Sequence, residues 1–155
     1  FNASFSDGVR QAGTVDSGVY FVENLQVDSG EPMTFDTSNG DIVVAVNRSV
    51  DIDERVEVHG DGQVRLFVKD DVTIDDEVKV FGTSASPTNE SRRLWTFAQS
   101  GSDITLETSA RYTGVIYAPG AGETRLESLF SGPNSLRSEV FGALIGGARP
   151  EQAGT

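Results

Sequence analysis

The chain has 155 residues, enough for one domain with a sizeable buried core. Twelve basic residues against 24 acidic ones give a net charge of −12, which disfavours nucleic acid and anionic membrane surfaces, because phosphate binding needs clustered Lys and Arg. The lack of cysteine removes disulfides, thiolate metal sites and thiol nucleophiles, and no apolar run is long enough to span a bilayer.

Residues 1–18 are polar and Gly-rich, and a flexible arm or linker is expected there. A single β-domain is expected over 19–147, followed by a disordered tail, "ARPEQAGT", over 148–155. The chain opens on Phe1 and carries no signal peptide, so a mature or excised fragment is expected, with any anchor upstream. "VYFVENLQV" (Val19–Val27) and "MTFDTSNG" (Met33–Gly40) alternate apolar and polar residues and read as strands of a capping coil. Beyond them the chain repeats itself. Ile42, Val44 and Val46 match Val64, Leu66 and Val68 at a spacing of 22 positions. Val50 and Ile52 match Val72 and Ile74, and Val56, Val58 and Gly60 match Val78, Val80 and Gly82.

Each block holds three short alternating segments separated by polar corners. Alternation places the apolar side chains on one face of a strand, and three such strands per period describe one coil of a parallel β-solenoid. The expected fold is therefore an all-β, parallel β-helix of right-handed winding, with about 22 residues and three strands per coil. A first inserted loop is expected over Thr83–Arg93, after which "LWTFA" (Leu94–Ala98) resumes the coil. Ala110, Tyr112 and Gly114 are expected to sit over Val78, Val80 and Gly82, at a spacing of 32. A second loop is expected over Ser128–Ser138, with "EVFG" (Glu139–Gly142) and "ALIGG" (Ala143–Gly147) beyond it. Gly60, Gly82, Gly114 and Gly142 then share one phase, where a corner needs positive φ or close backbone packing.

With the repeats placed, "FDTSNGDIVVAVNRSVDID", "LWTFAQ", "YTGVIYAPGA" and "VFGALIGG" together resemble the bactofilin-like β-helical domain of haloarchaeal cell-surface and pilin-associated proteins, over Met33–Gly147. The resemblance implies an extracytoplasmic, hypersaline setting and no enzymatic activity. A salt-adapted surface would account for the acidity, since salt screens long-range repulsion; an ordinary acidic protein is the alternative. The related bactofilins are polymer-forming scaffolds, an analogy of fold alone.

Several residues invite a chemical reading. Asp53 and Glu54 stack over Asp75 and Asp76 at aligned corners, where coils about 4.8 Å apart would let carboxylates share a Ca²⁺ ion; a solvated acidic edge is the alternative. Paired carboxylates also serve glycosidases, but these lie among other acids with nothing to shelter a proton donor. His59, the lone histidine, is expected to be exposed beside Gly60. Three sequons, at Asn2, Asn47 and Asn89, suit N-glycosylation of a surface protein. Phe67 falls on an outer face, and Phe81 and Phe141 share a phase that would let them form a ladder. The expected function is a non-enzymatic structural or interaction module of a cell surface or pilus-like assembly, without cofactor. Its expected partners are other surface or pilus proteins, or copies of itself through the coil ends. A polymer-forming scaffold and a polysaccharide-binding or polysaccharide-degrading β-helix are the alternatives.

Overall fold

The computed structural model describes residues 2–4, 9, 10 and 13–146, apart from 31, 82–89, 108, 109, 121, 127 and 130–135. The chain is a parallel β-solenoid of about five turns with almost no helix. At the amino end lie β1 (Asn2–Ser4), β2 (Val9–Arg10) and β3 (Gly13–Asp16). The next turn comprises β4 (Gly18–Val22), β5 (Leu25–Val27) and β6 (Met33–Asp36). Two near-identical turns follow. One is β7 (Ile42–Val46), β8 (Val50–Ile52) and β9 (Val56–His59); the other is β10 (Val64–Val68), β11 (Val72–Ile74) and β12 (Glu77–Val80). Beyond a short 3-10 turn at Ser91–Arg93 come β13 (Leu94–Ala98), β14 (Ile104–Leu106) and β15 (Arg111–Ala118). The last strands are β16 (Thr124–Leu126), β17 (Ser128–Leu129), β18 (Leu136–Arg137) and β19 (Glu139–Gly146).

The repeat read from the sequence is the register of the structure. Val64, Leu66 and Val68 lie opposite Ile42, Val44 and Val46, and Val72 and Ile74 opposite Val50 and Ile52. Val78 and Val80 lie opposite Val56 and Val58, and Leu94 takes the place of Val64 one turn on. Inward positions of these strands are buried, and together they form one apolar core. Each fully buried aliphatic side chain contributes on the order of 1.5–3 kcal/mol before entropy. The corners carry backbone bonds from turn to turn, such as Asp53 N to Val27 O at 2.9 Å and Asp75 N to Ile52 O at 2.9 Å.

Four expectations are corrected. Residues 1–18 are not a loose arm where they are described: β1, β2 and β3 pair in parallel with β4, β5 and β6. Val15 is buried, so the segment extends the core beneath the turn that would otherwise end it. The register of the third strand also differs after the first insertion. Tyr112, and not Ala110, lies opposite Val78, because the corner Glu107–Ala110 is two residues longer than its counterpart between Ile74 and Glu77. An even slip keeps the same side chains facing inward, so the apolar pattern alone does not detect it.

The corner glycines are the third correction. Gly60 stands at a turn with φ +90°, where a Cβ would strike the backbone at Thr37 and Ser38 of the preceding turn. Gly114 and Gly142 do face each other, but inside the eight-residue strands β15 and β19. β15 pairs with β12 through its first residues and with β13 through its later ones, so one strand joins two faces of the solenoid. At the joint a Cβ on Gly114 would lie 2.8 Å from Tyr112 Cε1, and one on Gly142 would fall on the Gly114 carbonyl oxygen. Gly82 lies outside the described residues, as does the tail from 147. Fourth, the two expected loops are not wholly surface irregularities. The first ends in buried Glu90 and Ser91, and the second contains an antiparallel pairing of β17 with β18.

Candidate functional site: an outer aromatic face

Register decides which side chains line up on the outside. Outward residues of the first strand in each turn form a column running Phe21, Ala45, Phe67, Phe97, Tyr117 and Ile145. Phe21 is 54% exposed, Phe67 44%, Tyr117 40% and Ile145 49%. Phe67 and Phe97 stack at 5.0 Å with an interplanar angle of 11°, Trp95 lies beside Phe97 at 5.7 Å, and Tyr117 meets Phe97 edge-on at 6.2 Å. The Trp95 indole N–H donates to the Arg92 carbonyl at 2.8 Å, which fixes the ring at the margin of the stack. An exposed apolar stripe on so acidic a chain is the kind of surface that marks an interaction site.

Two residues further along each strand runs a polar column of Glu23, Asn47, Lys69 and Gln99. Glu23 is held by Arg48 at 3.0 Å and accepts a hydrogen bond from the Asn47 amide at 2.9 Å. Where Ala45 interrupts the aromatic column, the surface sinks into a notch of about 600 Å³ between Phe21 and Phe67, with these polar groups along its rim. Alternation identifies Phe67 as outward from the sequence. Alignment with Phe97 and Tyr117 is hidden there, because the first insertion lies between Phe67 and Phe97 and none lies between Phe97 and Tyr117, so the three are unevenly spaced.

The sequence-predicted residues fare differently. Asp53 and Asp75 sit exposed at adjacent corners. The Glu54 carboxylate accepts from Gly30 N at 2.7 Å and from its neighbour Arg55 N at 3.1 Å, and these backbone hydrogen bonds hold it below its ordinary value. Asp76 accepts from Glu77 N at 2.7 Å. Two of the four proposed calcium ligands therefore cap backbone N–H groups, and among the described residues no group of three or more acidic or histidine side chains converges on a metal position. Asp51, on the adjacent outward face, is pushed up by partial burial and by Asp53, Asp28 and Asp75 around it.

His59 lies 2.8 Å from the Glu57 carboxylate and stacks on Phe81 at 4.9 Å, so it is engaged on two sides. That hydrogen bond lowers Glu57 below its ordinary value. Phe81 is thus partnered by His59, and it does not share a phase with Phe141: Phe141 lies opposite Thr113, and β15 is displaced by two residues against β12. Asn47 is exposed, Asn2 belongs to β1, and Asn89 lies outside the described residues.

Two polar devices escaped the sequence reading. Arg93, at the end of the first insertion, is half-buried against the corner of the preceding turns. Its guanidinium donates to the carbonyls of Gly60, Gly62 (3.1 Å) and Phe81 (3.2 Å), and pairs with buried Glu90 at 3.2 Å. Deeper in the core, Thr96 occupies an inward position otherwise taken by Leu66 and Ile116, and its hydroxyl lies 2.9 Å from the Tyr112 hydroxyl. Burial pushes the Tyr112 phenol far up, so it stays neutral. An Arg within a loop and a Thr within a strand carry no mark in the letters that would announce either role.

Residues 2–151 match the family described as "Domain of unknown function (DUF7305)", and the chain belongs to that family. No curated protein and no solved structure matches it.

Proposed function

We propose that the domain is a non-enzymatic structural or interaction module of a cell surface or pilus-like assembly, with its outer aromatic face as the contact surface. The observation that carries this reading is the exposed column of Phe21, Phe67 and Tyr117 on a chain of net charge −12. The resemblance of Met33–Gly147 to haloarchaeal cell-surface domains supports the extracytoplasmic setting, and the exposed Asn47 sequon suits N-glycosylation there. Salt screening of the acidic surface would let such a face approach its partners.

The test replaces Phe21, Phe67 and Tyr117 together with Ser and measures both the melt and the retention of purified cell-envelope polymers and pilin-type proteins. A folded variant that loses retention is the expected result. Retention unchanged in the folded variant would remove the face from the account.

A second reading, end-to-end assembly as in a polymer-forming scaffold, rests on the carboxy-terminal turn. Leu126 lies in register with Leu106 yet is 54% exposed, and Val140 and Leu144 of β19 are only partly buried. Exposed inward-register side chains at a coil end favour stacking of a second copy.

A further inference from the structure

We propose that the notch over Ala45 binds one neutral pyranose ring of a polysaccharide, an assignment that rests on the aromatic face being the contact surface. Neighbouring strands lie about 4.8 Å apart, so Phe21 and Phe67, two strands apart in one column, are separated by about 9.6 Å. Ala45 between them supplies only a methyl floor. Carbon atoms meet at about 3.5–4.0 Å, so a flat aromatic guest would need about 7–8 Å between two hosts. The wider gap suits a saturated six-membered ring, which carries C–H bonds on both faces.

Phe67 is a prepared platform. One of its faces is stacked on Phe97, and that stack sets the ring across the column, leaving the other face toward Ala45. The rim supplies what hydroxyl groups need. The Asn47 and Gln99 amides donate and accept, the Lys69 ammonium donates, and Glu23 is a carboxylate acceptor already oriented by Arg48. A largely apolar cleft with a few convergent polar groups is the usual form of a small-ligand site. Net charge of −12 and Glu23 on the rim favour a neutral sugar over a polyanion. The notch opens on the protein surface, so a ring within a longer polymer can enter it without a free end.

The experiment is ligand-observed NMR with neutral hexose and N-acetylhexosamine oligosaccharides at millimolar concentration. The full chain is made in a host without N-glycosylation, so that Asn47 is bare and any bound ring comes from solution. Wild type is expected to show saturation transfer to ring C–H protons, undiminished in molar salt because the ligand carries no charge. Ala45→Leu fills the notch while removing no existing contact, and Phe21→Ala removes one wall. Each is expected to weaken binding about five- to tenfold or more, while Phe141→Ala, outside the notch, leaves it unchanged. A melt equal to wild type certifies that Ala45→Leu is folded; should it not fold, Phe21→Ala decides alone. No transfer to any of these sugars, or transfer unchanged in the folded notch variants, overturns the assignment. Retention of a purified pilin-type protein by a chain that shows no transfer to any of these sugars overturns the assignment and leaves the interaction-module reading standing.

Discussion

The two central turns, β7–β9 and β10–β12, and the turns from β13 onward reach the same cross-section by different means. In the first pair a 22-residue repeat places Val over Val and Ile over Ile, and almost every inward contact is aliphatic. From β13 the repeat is broken by an insertion and a longer corner, and the inward column now holds Thr96 and Tyr112. Glycines stacked at the joint of β15 and β19, a partly buried guanidinium and a hydroxyl pair replace uniform aliphatic ladders. Regular coils therefore depend on apolar area, whereas the irregular coils depend on a few specific contacts, and substitutions should separate the two.

The largest effect is expected where area dominates. Val72 is 1% exposed in the column Val50, Val72 and Ile104, so Val72→Asp would bury an unpaired carboxylate and cost about 4 kcal/mol or more. Denaturant titration should find no cooperative transition, and a melt equal to wild type would contradict the packing described. In the irregular region Gly142→Ala should cost about 2–3 kcal/mol, because its Cβ has no space beside the Gly114 carbonyl and its φ of +148° disfavours a side chain. Equal chemical denaturation of the variant and wild type would mean that the joint can open.

Thr96→Val should cost about 1–3 kcal/mol by leaving the Tyr112 hydroxyl buried without its partner. Combined with Tyr112→Phe it should recover part of that loss, and a double-mutant cycle showing strict additivity would deny the coupling.

The smallest effect is electrostatic. Asp51 is raised above the ordinary carboxylate range, by burial first and then by Asp53, Asp28 and Asp75. Its favourable contribution is thus present below its unfolded value and lost as pH rises through the folded value, so the ionised group opposes folding at neutral pH. Asp51→Asn should raise the melting temperature slightly at neutral pH and low salt. The gain should vanish in acid and shrink in molar salt.

These two regions also show what the letters could reveal. The central coils were legible residue by residue, because a period of 22 with two-residue alternation admits one register. LWTFA is legible as the returning first strand, for its Leu94 and Ala98 match Val64 and Val68. Corner length was not legible: nothing in "ETSA" says that it spans the distance covered by "DD", and the two-residue slip at Tyr112 leaves every apolar phase intact. The amino-terminal turn is not legible because its strands are only two to four residues long, so alternation has too few residues to register. Acidic corners suggested calcium, yet Glu54 and Asp76 turn their oxygens onto backbone N–H groups, a local use that spacing cannot distinguish from ligation. The aromatic face needs the register across the first insertion before Phe67 can be aligned with Phe97 and Tyr117.

On the proposed reading the domain meets its partners through one face, and not through its ends. Sedimentation velocity across a concentration series, in salt from about 0.15 M to several molar, tests that most directly, because salt removes the repulsion that would keep acidic coil ends apart. A single folded species at monomer mass in every salt is the predicted result. Species that lengthen with concentration once salt is raised, and that disappear when Leu126 and Leu144 are replaced by Glu, would contradict it and make the coil end the working surface.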